Sequence, residues 1–238
     1  CDSLSAKGIP TIAGGVKDGW FGGWLYSILG DQSVSSQKQV LDAVVGNAKF
    51  TDPALGDWWT RLEESQKHKC WNSDINSQEL YQAQQLFVDQ KAAMTVTAGP
   101  DAPNFAQKAG GPDKIVVMAM PAWSDGPLAG KIASSSQTLG IPSWSEHKAE
   151  AADFIKFLHS PEQLQAWYDI TGSLPADDRF NLSQVTDPIK KSLFAGGTDN
   201  VPYMENFIPA QLDTDAVFKN VQLVLKGTET GAAAAADM

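Results

Sequence analysis

The apolar pattern of this chain changes period twice, and that limits its architecture more than any other feature. Helical spacing runs to about residue 90, short strand-like runs fill 92–142, and helical spacing returns at 146. The strand-like runs are "AAMTVTAG" (92–99), "KIVVMAMP" (114–121) and "SSSQTLGIP" (134–142), each β-branched or apolar and bounded by Gly or Pro. Helices and strands in mixed order, without strict β-α-β alternation, predict α/β layers joined by crossovers.

The predicted helices carry apolar stripes. Over 19–30, Phe21, Trp24, Leu25 and Ile28 recur at helical spacing, which assigns Trp24 to the core. Trp20 stands at the glycine-rich mouth of that helix, either as core or as a flat surface held out for a ligand. Asp52-Pro53 starts a helix with Asp52 as N-cap, and Leu55, Trp58, Trp59 and Leu62 share its buried face. Residues 78–90 form a helix with Leu80, Ala83 and Phe87 inward. Residues 146–159 follow, with Ala151, Phe154, Ile155 and Leu158 as the stripe and Ser143 with Glu146 as a capping box. Ser160-Pro161 opens the next helix, which carries Leu164 and Trp167. A last helix at about 213–226 buries Val217, Phe218, Val221, Val224 and Leu225. Residues 1–7 read as the last turn of a helix, and "GIPTIAGG" (8–15) as a stop, a short strand and a loop.

Charge narrows the partners. The formal net charge is −10 and no Lys/Arg cluster is present, which argues against nucleic acid and anionic membrane surfaces. A neutral or weakly cationic partner is favoured. No stretch of eighteen apolar residues spans a membrane. A chain that opens on Cys1 is what a mature, processed or truncated product would show. Cys1 and Cys70 are the two cysteines; a disulfide, a lipidated Cys1 and two buried free thiols all remain open on spacing.

No catalytic constellation stands out. His68, His147 and His159 lack H-E-x-x-H spacing, and no G-x-S-x-G elbow, Walker loop or dinucleotide fingerprint occurs. No cofactor or metal is expected. Eight tryptophans in an acidic chain, several in glycine-rich loops, suit a sugar binder instead. A pyranose has an apolar C–H face that stacks on an aromatic ring, and hydroxyls that suit Asp, Asn, Gln and Glu.

Residues 86–99, "LFVDQKAAMTVTAG", resemble the carbohydrate-type extracellular solute-binding proteins of ABC importers (family 1). That family shows a helix ending in "F-x-x-G-K-A-A-M", then a strand ending in Gly. Here Gln90 replaces the usual Gly, and "GPD" follows where "G-x-W" is common. "GIPTIAGGVKDGW", "VVMAMPAW", "TLGIPSWSEHKAEAADFIKFLHSPEQLQAW" and "TGSLPADDRF" resemble further family segments in the same order.

The resemblance implies a type II periplasmic-binding-protein-like α/β fold of two lobes, with ligand in the cleft between them. It implies that this chain is the C-terminal part of a longer protein, covering the C-terminal lobe and part of the N-terminal lobe. Residues 1–132 would be most of the C-terminal lobe, 133–180 a crossing strand and N-terminal-lobe helices, and 181–238 a return to the C-terminal lobe. It implies a Cys1–Cys70 disulfide and a periplasmic or extracellular, membrane-associated location. Expected partners are a mono- or small oligosaccharide and the permease subunits. Membrane contact would come only through the permease or a lipid anchor of the full-length protein, and the chain would be a monomer. The implied ligand contacts are Lys17, Asp18 and Trp20 in the opening loop, Gly99 and Asp101 after the strand, Gln137 in the crossing strand, Thr171 and Gly172 before the "S-L-P" turn, and Tyr203 and Glu205 before the last helix. The implied role is binding rather than turnover. A carbohydrate-processing lobe using Asp/Glu acid–base chemistry is the alternative, and a helical interaction domain a third reading.

Overall fold

The computed structural model describes residues 1–136, 138–195 and 200–238, with 192–195 as backbone only. The chain forms two compact units. The first comprises 1–96, 118–134 and 198–238; the second comprises 97–117 and 135–197.

The long helix Pro53–Lys67 begins where Asp52-Pro53 predicts. Asp52 is the N-cap residue, but its carboxylate accepts from the Lys49 amide at 3.1 Å rather than from the helix. Leu55, Trp58, Trp59 and Leu62 are all buried. They meet Val217, Val221, Val224 and Leu225 from the C-terminal end of the chain in one core. The alanine-rich tail is helical over Gly231–Asp237. A Cβ on Gly231 would meet the Trp59 carbonyl at 2.5 Å, so this helix closes directly onto Pro53–Lys67.

Three predicted helices are irregular. Phe21–Leu25 is α-helical and continues as a π turn over Tyr26–Gly30. The last helix likewise runs as a π turn, Asp213–Phe218, before Lys219–Lys226. Residues 78–90 form two short helices, Leu80–Ala83 and Gln85–Val88, joined at Gln84.

The strands are much shorter than predicted. Ile12–Ala13 pairs in parallel with Met94–Thr95, in the register Ile12 with Met94. Ile132–Ser134 pairs in parallel with Asn200–Pro202. Among the described residues "KIVVMAMP" forms no strand, and Val116 is 88 % exposed. β-propensity builds a strand only where a neighbour supplies the ladder and a face to cover.

The second unit has a small core of Ala102, Ala106 and Ile189, flanked by Ile115 and Val117. Its helices include Ala102–Lys108, Lys148–Leu158 and Pro161–Thr171. The Lys148–Leu158 stripe has the predicted spacing but is not buried: Phe154 is 59 % exposed and Phe157 is also open. Spacing makes a stripe, and only a packed neighbour buries it. The capping box is absent as well; the N-cap is His147, and the Ser145 hydroxyl accepts from its amide at 3.2 Å.

Cys1 and Cys70 form a disulfide across a sequence separation of 69. The Cys1 sulfur is thereby committed to protein rather than to a lipid. No helix among the described residues is long and apolar enough to cross a membrane.

Candidate ligand-binding site

The loop at 14–20 is fixed from three sides. The Gly14 amide donates to Asn72 Oδ1 at 2.8 Å, and the Val16 amide to the Ile75 carbonyl at 2.9 Å. Gln222 Nε2, from the helix Lys219–Lys226, donates to the Val16 carbonyl at 2.6 Å. Gly19 adopts φ +82°, which turns the chain into the helix that carries Trp20 and Trp24.

That turn sets out a row of rings. Trp20 and Trp24 meet edge to face at 5.1 Å between centroids. Tyr81 lies 5.6 Å from Trp20, and Tyr203 lies 6.5 Å from Trp24. Trp20, Trp24 and Tyr203 are half-buried, and Tyr81 is 64 % exposed. The Trp20 indole N–H donates to Asp18 Oδ2 at 2.6 Å. Lys17 Nζ pairs with Glu79 Oε1 at 3.4 Å.

Trp24 thus departs from its predicted core position: Phe21 and Leu25 are buried, while Trp24 keeps a partly open ring. Tyr81 was missed altogether. Its signal was its place between Leu80 and Ala83, both inward, which turns position 81 outward.

Acidic groups back the rings. Glu205 rests against the helix at Gly23, where any Cβ would strike Oε2. Burial, then the charge of Asp213, pushes the Glu205 carboxyl up to about 7. Burial raises Asp213 to about 6 and Asp31 to about 8. The Tyr203 hydroxyl is raised by burial and then by Glu205. The Tyr26 hydroxyl is raised by burial, then by Asp31 and Asp213. Asp31 is 3 % exposed, and among the described residues neither of its oxygens finds a partner; the Tyr26 hydroxyl, Ser27 Oγ and Asp213 Oδ1 are also buried without one there. Both π turns contribute to this cluster, and π turns recur at functional sites.

Of the predicted contacts, Lys17, Asp18, Trp20, Tyr203 and Glu205 lie in the first unit, around these rings. Gly99, Asp101, Thr171 and Gly172 lie in the second. Asp101 is the N-cap residue of Ala102–Lys108, and its Oδ2 accepts from Thr97 Oγ1 at 3.3 Å. Thr171 Oγ1 donates to the Trp167 carbonyl at 2.7 Å. Gly172 ends its helix at φ +72°, with Pro100 and Lys190 beside it. Lys190 Nζ stands 4.6 Å over the Tyr168 ring. Gln137 lies outside the described residues.

The glycines of residues 14–23 serve the protein's own packing. A Cβ on Gly15 would meet the backbone of Gln78 and Glu79 at 2.5 Å, and Gly22 faces Phe218 and Val221. No group of three or more His, Cys, Asp or Glu among the described residues is placed to hold a metal ion.

Residues 7–192 match the family model of bacterial extracellular solute-binding proteins. Among solved structures, a chitin oligosaccharide binding protein aligns with TM-score 0.82 at 21 % identity, over 97 % of this chain and 58 % of its own. A sugar transporter from Bacillus licheniformis, in complex with stachyose, aligns with TM-score 0.75 at 18 % identity, over 98 % of this chain and 60 % of its own. A structure from work on xylan utilization by Caldanaerobius polysaccharolyticus aligns with TM-score 0.73 at 22 % identity, over 98 % of this chain and 61 % of its own. The chain therefore spans about three fifths of the length of the structures it matches. No curated protein sequence matches it.

Proposed function

The chain belongs to the bacterial extracellular solute-binding proteins and shares the type II periplasmic-binding-protein-like fold, and from that premise we propose that it is the sugar-binding component of an ABC importer. It binds a mono- or small oligosaccharide outside the cytoplasm and delivers it to the membrane permease. The observation that carries this reading is the row of partly open rings, Trp20, Trp24, Tyr81 and Tyr203, bordered by Asp18 and Glu205. Rings supply a surface for the C–H face of a sugar, and carboxyl groups meet its hydroxyls. We assign Lys17, Asp18, Trp20, Tyr203 and Glu205 to ligand contact on this wall, and Gly99, Asp101, Gln137, Thr171 and Gly172 to contact from the rest of the chain.

The family is one of binding and transport, which sets the reading apart from a carbohydrate-processing enzyme. Calorimetry of the full-length natural polypeptide against xylo-, chito- and galacto-oligosaccharides tests it. Saturable binding with the sugar recovered unchanged is expected. Heat with none of them overturns the reading, and released monosaccharide favours the enzyme. Loss of uptake of the bound sugar on deleting the gene, restored by the wild-type copy, tests delivery to the permease.

A further inference from the structure

The wall around Trp24 is unusual in its charge. Glu205 and Asp213 are half-buried, and Asp31 is buried outright. Among the described residues, the groups that act on Glu205, Asp213 and Asp31 include no basic side chain, and Lys17 of the aromatic loop is already paired with Glu79. A carboxylate taken partly out of water without a counter-charge is costly; it holds a proton or it waits for a cation. The hydroxyls of a neutral sugar donate hydrogen bonds to it but bring no charge.

The rings point the same way. A cation is attracted to the face of Trp and Tyr, most strongly where water is thin. Asp18 accepts from the Trp20 indole N–H at 2.6 Å, which pushes electron density into the ring and makes its face more negative. Trp24 stands edge-on to Trp20 at 5.1 Å and within 6.5 Å of Tyr203, beside Gly23, against which the Glu205 carboxyl rests. The Tyr26 hydroxyl, buried and without a partner, feels both Asp31 and Asp213 and so joins the deeper acids to the same side.

We propose that the ligand of this wall is a sugar bearing a protonated amine, with its ammonium held by Glu205 against Trp24 and Tyr203 and its C–H face on Trp20. This rests on the sugar reading above and narrows it to amino sugars and their short oligomers. Asp213 acts behind Glu205 by adding to the negative potential that the ammonium meets. Glu205 gives up its proton when the ammonium arrives, because the new charge replaces the proton as partner.

The test is calorimetry of the full-length natural polypeptide at pH 6 with three disaccharides: the β-1,4 glucosamine dimer, its N-acetylated form and cellobiose. The free amine is expected to bind at least tenfold tighter than the other two, a difference of about 1.4 kcal/mol. Runs in two buffers of different ionisation enthalpy are expected to read release of up to one proton for the amine alone, a measurement that needs no variant. Glu205→Gln should erase the advantage of the amine over cellobiose and abolish the proton release. Thermal denaturation of that variant checks that it is folded, and Asp213→Asn should reduce the advantage in part. Equal affinity for all three sugars, or an advantage that survives Glu205→Gln, overturns this inference and leaves the sugar reading standing. Binding of none of them, or of any other sugar, overturns both.

Discussion

Trp20 donates its indole N–H to the carboxylate of Asp18, two residues earlier, at 2.6 Å. One edge of the ring is anchored and the ring packs at the rim of the core, while the residue stays partly open to solvent. Trp20→Ala should lower sugar affinity at least tenfold, about 1.4 kcal/mol, and cost only about 1 kcal/mol of stability. Trp58 is fully buried against Tyr26 and Trp59, and Trp58→Ala should cost about 3–5 kcal/mol. Titration calorimetry paired with denaturant melts separates the two. An unfolded Trp20→Ala protein would place that ring in the core after all.

A Cβ at Gly23 would strike the Glu205 carboxyl and come within 3.1 Å of the Phe218 ring. Gly23→Ala gains helix propensity of about 1 kcal/mol, the Glu205 carboxyl is the movable end of a side chain, and the Phe218 ring has to give by a few tenths of an ångström. Stability should therefore change by less than about 1 kcal/mol while affinity falls about tenfold. A variant that binds as wild type would show that Glu205 takes no part in holding the ligand.

Gln90 adopts φ +59°, the left-handed region that suits glycine. A side chain there strains the backbone by about 1–2 kcal/mol, and glycine's freer unfolded chain returns part of that. Gln90→Gly should raise stability by about 1 kcal/mol, read as an upward shift in Tm. No shift, or a lower Tm, would mean that the Gln side chain contributes as much as the strain costs.

Asp31 gives the fold a pH dependence of definite sign. Its ordinary value is 3.8 and burial raises it to about 8, so between these values the folded state holds a proton that the unfolded state has lost. Its contribution is fully present below about pH 4 and is lost progressively as pH rises towards 8. Asp31→Asn should change Tm least at pH 4 and stabilise progressively as pH rises, by on the order of a few kcal/mol at pH 8. Melting curves across pH 4–8 check this; parallel curves for the two proteins would contradict it.

What the sequence makes legible is what local chemistry decides. Asp52-Pro53 starts its helix, and the spacing of Leu55, Trp58, Trp59 and Leu62 names a buried face, because both depend on neighbours three and four residues away. "KIVVMAMP" and the Phe154 stripe fail for the opposite reason. Each has the right pattern, but burial needs a partner from elsewhere in the chain: Ile115 and Val117 reach only the edge of a small core, and Val116 and Phe154 stay open. The site divides in the same way. Trp20 was visible as an aromatic at a glycine-rich helix mouth. Trp24 was hidden by its helical spacing to Phe21 and Leu25, since a stripe wide enough to reach the core also reaches its rim. The contact of Glu205 with Gly23 joins residues far apart in sequence, and no local pattern encodes it.

The aromatic loop belongs to the start of this chain, while the carboxyl behind it and the Gln222 amide that pins it belong to the end. During synthesis the loop therefore emerges long before its supports exist, and Trp20 and Trp24 wait unbraced until Tyr203, Glu205 and Gln222 follow. A chain cut short before residue 203 would keep both tryptophans and lose the surface they form. The row of rings is thus completed late in the first unit, with only the Gly231–Asp237 helix still to close onto Pro53–Lys67.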